Sequence, residues 1–247
     1  MITARITAAL AAVLVISGAP VVSGSMAIGP DAAPARAYGP ASCVPGNPTQ
    51  PTGELFATTN TETITDPADP RLSDPLSLFE LEVDATAATE LALPVGSQLV
   101  DGVFWSSDSN AITYERSRQF QLACTDYKNL CWVADDLRVR HNQESVLTFE
   151  YLPGEDTRAN GFTVTVPGID RTRFHDALVA DPVVRDRLGG GSITQSGDLI
   201  LVADRADMDL VRTFVTSLGG SWNANSIAYG DREFVHSTGT SALACAV

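Results

Sequence analysis

Residues 161–220 read GFTVTVPGIDRTRFHDALVADPVVRDRLGGGSITQSGDLILVADRADMDLVRTFVTSLGG, and this stretch decides which fold the sequence leads one to expect. Phe162, Val164 and Val166 alternate with Thr163 and Thr165, the period of a strand with one buried face. Pro167 and Gly168 stop it. Asp170 can cap a helix whose Phe174, Ala177 and Leu178 lie on one stripe. Asp181-Pro182 is a second start signal, because proline lacks the amide that would be orphaned at the first helical position. That short helix runs to Leu188 and ends at Gly189 to Gly191. Ile193 to Gln195 and Asp198 to Ala203 then form a hairpin through Ser196-Gly197, where glycine supplies the positive φ of a tight turn. Asp204 and Asp207 open a last helix with the apolar stripe Leu210, Val211, Phe214 and Leu218, and Gly219-Gly220 close it.

The order is β-α-β-β-α. A strand at Ile227 to Tyr229 or at Phe234-Val235 adds a sixth element, and β-α-β-β-α-β is the order of a ferredoxin-like sandwich over residues 160–237. Upstream, residues 76–155 read as mostly β. Phe79, Leu81 and Val83 alternate with Glu80 and Glu82, Asp101-Gly102 is a strong hairpin signal, and further strands fit at 119–124, 130–134 and 146–152. The expected fold class is therefore α+β, an N-terminal, mostly antiparallel β region followed by the sandwich. Residues 38–75 carry Pro40, Pro45, Pro48, Pro51, Pro67, Pro70 and Pro75 and read as a Pro/Thr-rich leader or linker. Residues 238–247 read as a C-terminal tail that begins Ser/Thr/Gly-rich.

Residues 1–37 read as an export signal: Arg5 gives a basic start, Ile6 to Ile16 an apolar core, and Ala35-Arg36-Ala37 a cleavage site. The expected location is secreted or extracytoplasmic after cleavage. The alternative is an N-terminal membrane anchor, against which Ser17, Gly18 and Pro20 interrupt the run before the ~20 apolar residues of a spanning helix. The 247-residue chain has 16 basic and 30 acidic residues. Removal of residues 1–37 leaves 14 basic and 29 acidic residues, a charge of about −15, which argues against a nucleic-acid partner. Four cysteines in an exported chain point to two disulfides. Cys124 with Cys131 is the favoured pair, across what reads as a loop between strands, and Cys43 with Cys245 then staples the two ends.

Motifs for catalysis are weak. His141, His175 and His236 lie far apart in sequence, and no G-x-S-x-G surrounds Ser192. Asp204, Asp207 and Asp209, or Asp108, Asn110 and Glu115, could suggest a cation site, but calcium needs six to eight oxygens on a curling loop. No cysteine or histidine spacing fits zinc, and Gly189 to Gly191 follow a helix instead of opening one, so a phosphate loop fails on context. No catalytic, cofactor-binding or metal residue is assigned. Phe104, Trp105, Trp132 and Trp222 could line a ligand platform or fill a core. Two functions follow as expectations. The first is an exported, non-catalytic binding or interaction module of the cell envelope or extracellular space, with a protein or envelope component as partner. The alternative is a secreted hydrolase with a site built from distant residues such as Ser192, His236 and an Asp.

Overall fold

A computed structural model describes residues 50–236 and Cys245 of the chain, all of which belong to one compact unit. The expected export signal, the start of the leader and most of the tail lie outside the described residues. Eight strands close into a barrel: β1 (Thr52–Thr58), β2 (Leu93–Ser106), β3 (Ala111–Ala123), β4 (Ser145–Tyr151), β5 (Gly161–Pro167), β6 (Gly190–Thr194), β7 (Asp198–Asp204) and β8 (Ile227–His236). Their order around the ring is β1-β3-β2-β6-β7-β5-β8-β4, and every neighbouring pair is antiparallel. Five helices, α1 (Ser77–Thr89), α2 (Tyr127–Arg140), α3 (Arg171–Ala180), α4 (Pro182–Leu188) and α5 (Met208–Ser217), connect them.

This overturns the expected mostly antiparallel β region followed by a ferredoxin-like sandwich. Residues 161–236 do run strand, helices, two strands, helix, strand, but residues 52–151 run through the same order. The two sets of four strands close on each other along two seams. At one, Val100 to Phe104 of β2 meet Gly190 to Thr194 of β6; at the other, Ser145 to Tyr151 of β4 meet Gly230 to His236 of β8. A sheet that closes on itself satisfies the edges that a sandwich would leave open. Residues 76–155 and 160–237 are thus parts of one body, and residues 52–58, read as linker, form a strand held on both sides by β3 and β4.

Three local readings fail for identifiable reasons. The alternation of Phe79, Leu81 and Val83 belongs to helix α1: Phe79, Val83 and Ala87, spaced by four, are buried, whereas Leu81 is 66% exposed. Residues 130–134 lie in α2, whose Leu130, Val133, Ala134 and Leu137 follow helical spacing behind an Asp126 cap that accepts from the Asn129 amide at 3.1 Å. Asp101-Gly102 sits in the middle of the 14-residue β2. The turn comes later, at Ser107 to Asn110, where Asn110 takes a φ of 49°.

Outward-facing strand residues form two apolar cores under the helices. Phe162, Val164, Val166, Leu199 and Leu201 meet Phe174, Leu178, Val211 and Phe214 of α3 and α5. Leu55, Ala57, Phe120 and Leu122 meet Phe79 and Val83 of α1 and Leu130 and Leu137 of α2. By the period of two, the alternate residues of each strand face the lumen. Burial of the two outer cores fixes register, since a slip of one residue would turn each apolar set inward.

The cysteine pairing also differs from the expected one. Cys131, buried in α2, is bonded to Cys245, 114 residues away in sequence. Cys124 is disulfide-bonded as well, and because Cys131 and Cys245 hold each other, neither Cys124 with Cys131 nor Cys43 with Cys245 is the pairing. The six residues between Cys124 and Cys131 are not a hairpin loop. They lead from β3 into the capped first turn of α2, which points Cys131 into the core beneath that helix.

Candidate functional site

The lumen has two different ends. On β3, Glu115, Ser117, Gln119 and Gln121 alternate with the outward Tyr114, Arg116, Arg118 and Phe120, so the middle of this strand's inner face is polar. Toward one end the lumen is filled. Gln98 donates to Gln119 (2.6 Å), Gln119 donates to Glu54 (2.8 Å), and the Tyr151 hydroxyl donates to the other oxygen of Glu54. Phe149, fully buried, stands edge-on to Tyr151 with ring centroids 5.2 Å apart. Burial pushes the Glu54 carboxyl above the usual range, while the bonds from Tyr151 and Gln119 oppose that shift. Burial and the neighbouring Glu54 raise the Tyr151 phenol in turn. This layer is a satisfied polar plug, the arrangement that buried polar groups require.

Above it, a cavity of about 450 Å³ opens toward the end where β1, β2 and β8 finish. Its walls include Phe56, Phe104, Leu147, Ile200, Val202 and Phe234, and its polar groups include Glu115, Ser117, Ser145 and Ser192. Register sets the lining of neighbouring strands side by side: Gly102 of β2 pairs with both Glu115 of β3 and Ser192 of β6. Gly102 leaves room for the Phe104 ring that lines the cavity. A Cβ there would overlap the Phe104 ring and come within 3.1 Å of the Glu115 Cβ. Phe234, 43% exposed although it faces inward, marks the mouth. Trp105 and residues 186–190 at the end of α4 complete that rim, with the Arg185 guanidinium 4.0 Å over the Trp105 ring.

Charge at this site is uneven. Arg232 is held by Asp204 at 2.8 Å, Arg187 by Asp207, and Asp186 by Arg185 at 3.2 Å. Among the described residues, Glu115 has no ion pair. Burial raises its pKa, opposed only by a hydrogen bond with Ser117. The carboxyl of half-buried Glu115 thus faces the open cavity without a charged partner among the described residues, a combination that marks functional sites more often than scaffolds.

The residues singled out from sequence are mostly dispersed. Ser192 lines the cavity, but no hydrogen bond joins it to His236, whose ring stacks on Phe234 at 6.0 Å. His175 bonds Asp176 at 2.9 Å on the outside of the barrel, and His141 stands edge-on to Phe79, where burial lowers its pKa. Asp204, Asp207 and Asp209 are each paired with a different arginine. Asp108 and Asn110 stay in the β2–β3 turn while Glu115 points away from them into the lumen. No group of three or more His, Cys, Asp or Glu among the described residues could hold a metal ion. Of the four aromatic residues considered as a platform, Phe104 and Trp105 reach the cavity. Trp132 lies on α2 beneath Lys128, and Trp222 packs against the outer core. Sequence reasoning missed Phe56, Ser117 and Phe234, and took Glu115 for a loop residue. The alternating polar face of β3 was the signal that could have found Glu115 and Ser117.

Among the described residues no helix is long and apolar enough to cross a membrane. No family model matches the chain, and no curated protein matches it. A solved structure from Lactobacillus acidophilus NCFM, described as that of a "putative monooxygenase", aligns with 76% of this chain and 96% of its own, at 9% identity and a TM-score of 0.23. A score that low does not establish a shared fold.

Proposed function

We propose that this protein is an exported, non-catalytic binding module of the cell envelope or extracellular space, and that it binds a small amphipathic molecule in the barrel lumen. The observation that carries the reading is the cavity of about 450 Å³, walled by aromatic and aliphatic side chains with a few convergent polar groups. Small-molecule sites fall in the range of roughly 300–1,000 Å³ and share that mixture of lining. The disulfide between Cys131 and Cys245 suits an oxidising compartment, and the export signal read in residues 1–37 supplies the route. Among the described residues no serine, threonine or cysteine side chain bonds a histidine ring, and binding without turnover is the reading we favour.

The test is a thermal-shift screen of the mature protein against aromatic and alicyclic compounds of the envelope and culture medium, with Ser145→Trp as the control that obstructs the mouth. A ligand at 100 times its Kd stabilises by about 2.7 kcal/mol, a rise of roughly 5–10 °C in Tm for a domain of this size. The expected result is such a rise in wild type and its loss in Ser145→Trp. Equal shifts in both proteins, or turnover of any compound, would overturn the reading.

A further inference from the structure

Resting on that reading of the lumen, we infer that the ligand carries a protonated amine on an aromatic or alicyclic body, and that Glu115 receives the ammonium group. Four observations lead there. First, Glu115 is a carboxyl turned into the cavity without a basic partner among the described residues, while the other charged side chains lining the cavity, Asp186, Arg187 and Arg232, are each already paired. A carboxylate in a low-dielectric site is costly when unpaired, and a ligand cation supplies the missing charge. Second, Ser117, two residues along the same strand, lines the same cavity on the same inward face as Glu115 and places a hydroxyl beside its carboxyl. Third, Phe56, Phe104 and Phe234 line the same cavity, and aromatic faces attract cations most strongly where water is excluded. Fourth, the chain carries a net charge of −14, which raises the local concentration of cationic solutes and disfavours anionic ones.

An inorganic cation fits poorly. A divalent ion needs several oxygen ligands, and no cluster of three candidate ligands occurs among the described residues. An organic ammonium needs one carboxylate and an apolar surround, which is what the cavity offers. The other charged groups that face the lumen do not supply this role. Glu54 of β1 belongs to the plug with Gln119 and Tyr151, and Arg187 of α4 and Arg232 of β8 stand paired with Asp207 and Asp204.

The inference has a pH signature. Glu115 must lose its proton to form the ion pair, and burial holds that proton on to higher pH than usual in the empty site. Amine binding therefore strengthens as pH rises toward 8 and weakens toward pH 4, whereas binding of a neutral analogue does not follow that curve.

The decisive experiment is calorimetric titration of the disulfide-intact protein with arylalkyl amines, each matched to the alcohol of the same skeleton, between pH 5 and pH 8. Each amine is expected to bind about tenfold or more tightly than its alcohol at pH 8, the size of a charge-assisted hydrogen bond, with the ratio shrinking as pH falls. Glu115→Gln should bring that ratio to about 1, and Glu115→Asp should restore part of it. Alcohols binding as well as amines in wild type, or a preference that survives Glu115→Gln, would refute the role given to Glu115 while leaving the lumen as a binding site. If neither compound class binds and Ser145→Trp behaves as wild type, the lumen reading and this inference fall together.

Discussion

Glu54 and Glu115 both face the lumen, and burial raises the pKa of both, but their neighbours set them different tasks. Glu54 accepts from two side chains and closes the lumen; Glu115 has Ser117 alone and an open cavity in front of it. The linkage of Glu115 to stability has a definite sign. A carboxyl whose folded pKa lies above its ordinary value near 4.5 favours the folded state while protonated, and that contribution is lost as pH rises through the folded value. In the absence of ligand, Glu115→Gln should therefore melt higher than wild type at pH 7, by roughly a few degrees for a domain of this size. The gap should narrow as pH falls toward 4.5. Melting curves of the two proteins across pH 4 to 8 check this, and a constant gap would show that Glu115 does not titrate with its environment as described. Little of this residue's role was legible, because only the pairing of β3 with β2 shows that Glu115 sits beside Gly102 on the lumen face instead of in a loop.

Helix α1 shows how an element can be misread from its own letters. Phe79, Leu81 and Val83 suit a strand, and the helix is betrayed only by extending the count to Ala87, four residues on. The two readings differ in a measurable way. On a strand Phe79 and Leu81 would share a face and cost alike on truncation. On the helix Phe79 is 3% exposed and Leu81 66%, so Phe79→Ala should cost about 3–5 kcal/mol and Leu81→Ala no more than ~0.5 kcal/mol. Urea denaturation of the two variants decides it. The opening stretch was read better, since β5, α3, α4, β7 and α5 each carry a cap, a turn or a period of their own: Asp170 accepts from Arg173, and Asp181 from Val183 and Val184. Asp204 fared worse, because its carboxylate bonds Arg232 at 2.8 Å instead of the helix that follows it. Capping residues announce themselves locally, whereas a partner on a distant strand leaves no trace nearby.

At the scale of the molecule, closure was the feature that sequence could not reveal. Nothing in residues 161–220 says that β6 will pair with β2 or that β8 will pair with β4, because those contacts join segments about 90 residues apart along the chain. Closure makes the strands interdependent, and a single cooperative thermal transition is expected in place of two. The Cys131–Cys245 bond spans 114 residues and encloses β4 through β8. In the chain-entropy description its loss costs about 4–5 kcal/mol, so Cys131→Ser should lower Tm markedly without splitting the transition. Calorimetry showing two separated peaks would indicate halves that unfold on their own. The ring has a further consequence for self-association. Every one of its eight strands has a neighbour on both sides, which leaves another chain only the stretches that outrun a neighbour, such as residues 93–99 of β2, paired with β3 alone. Strand addition is thereby confined to short segments, and partners are offered chiefly the helical exterior and the mouth.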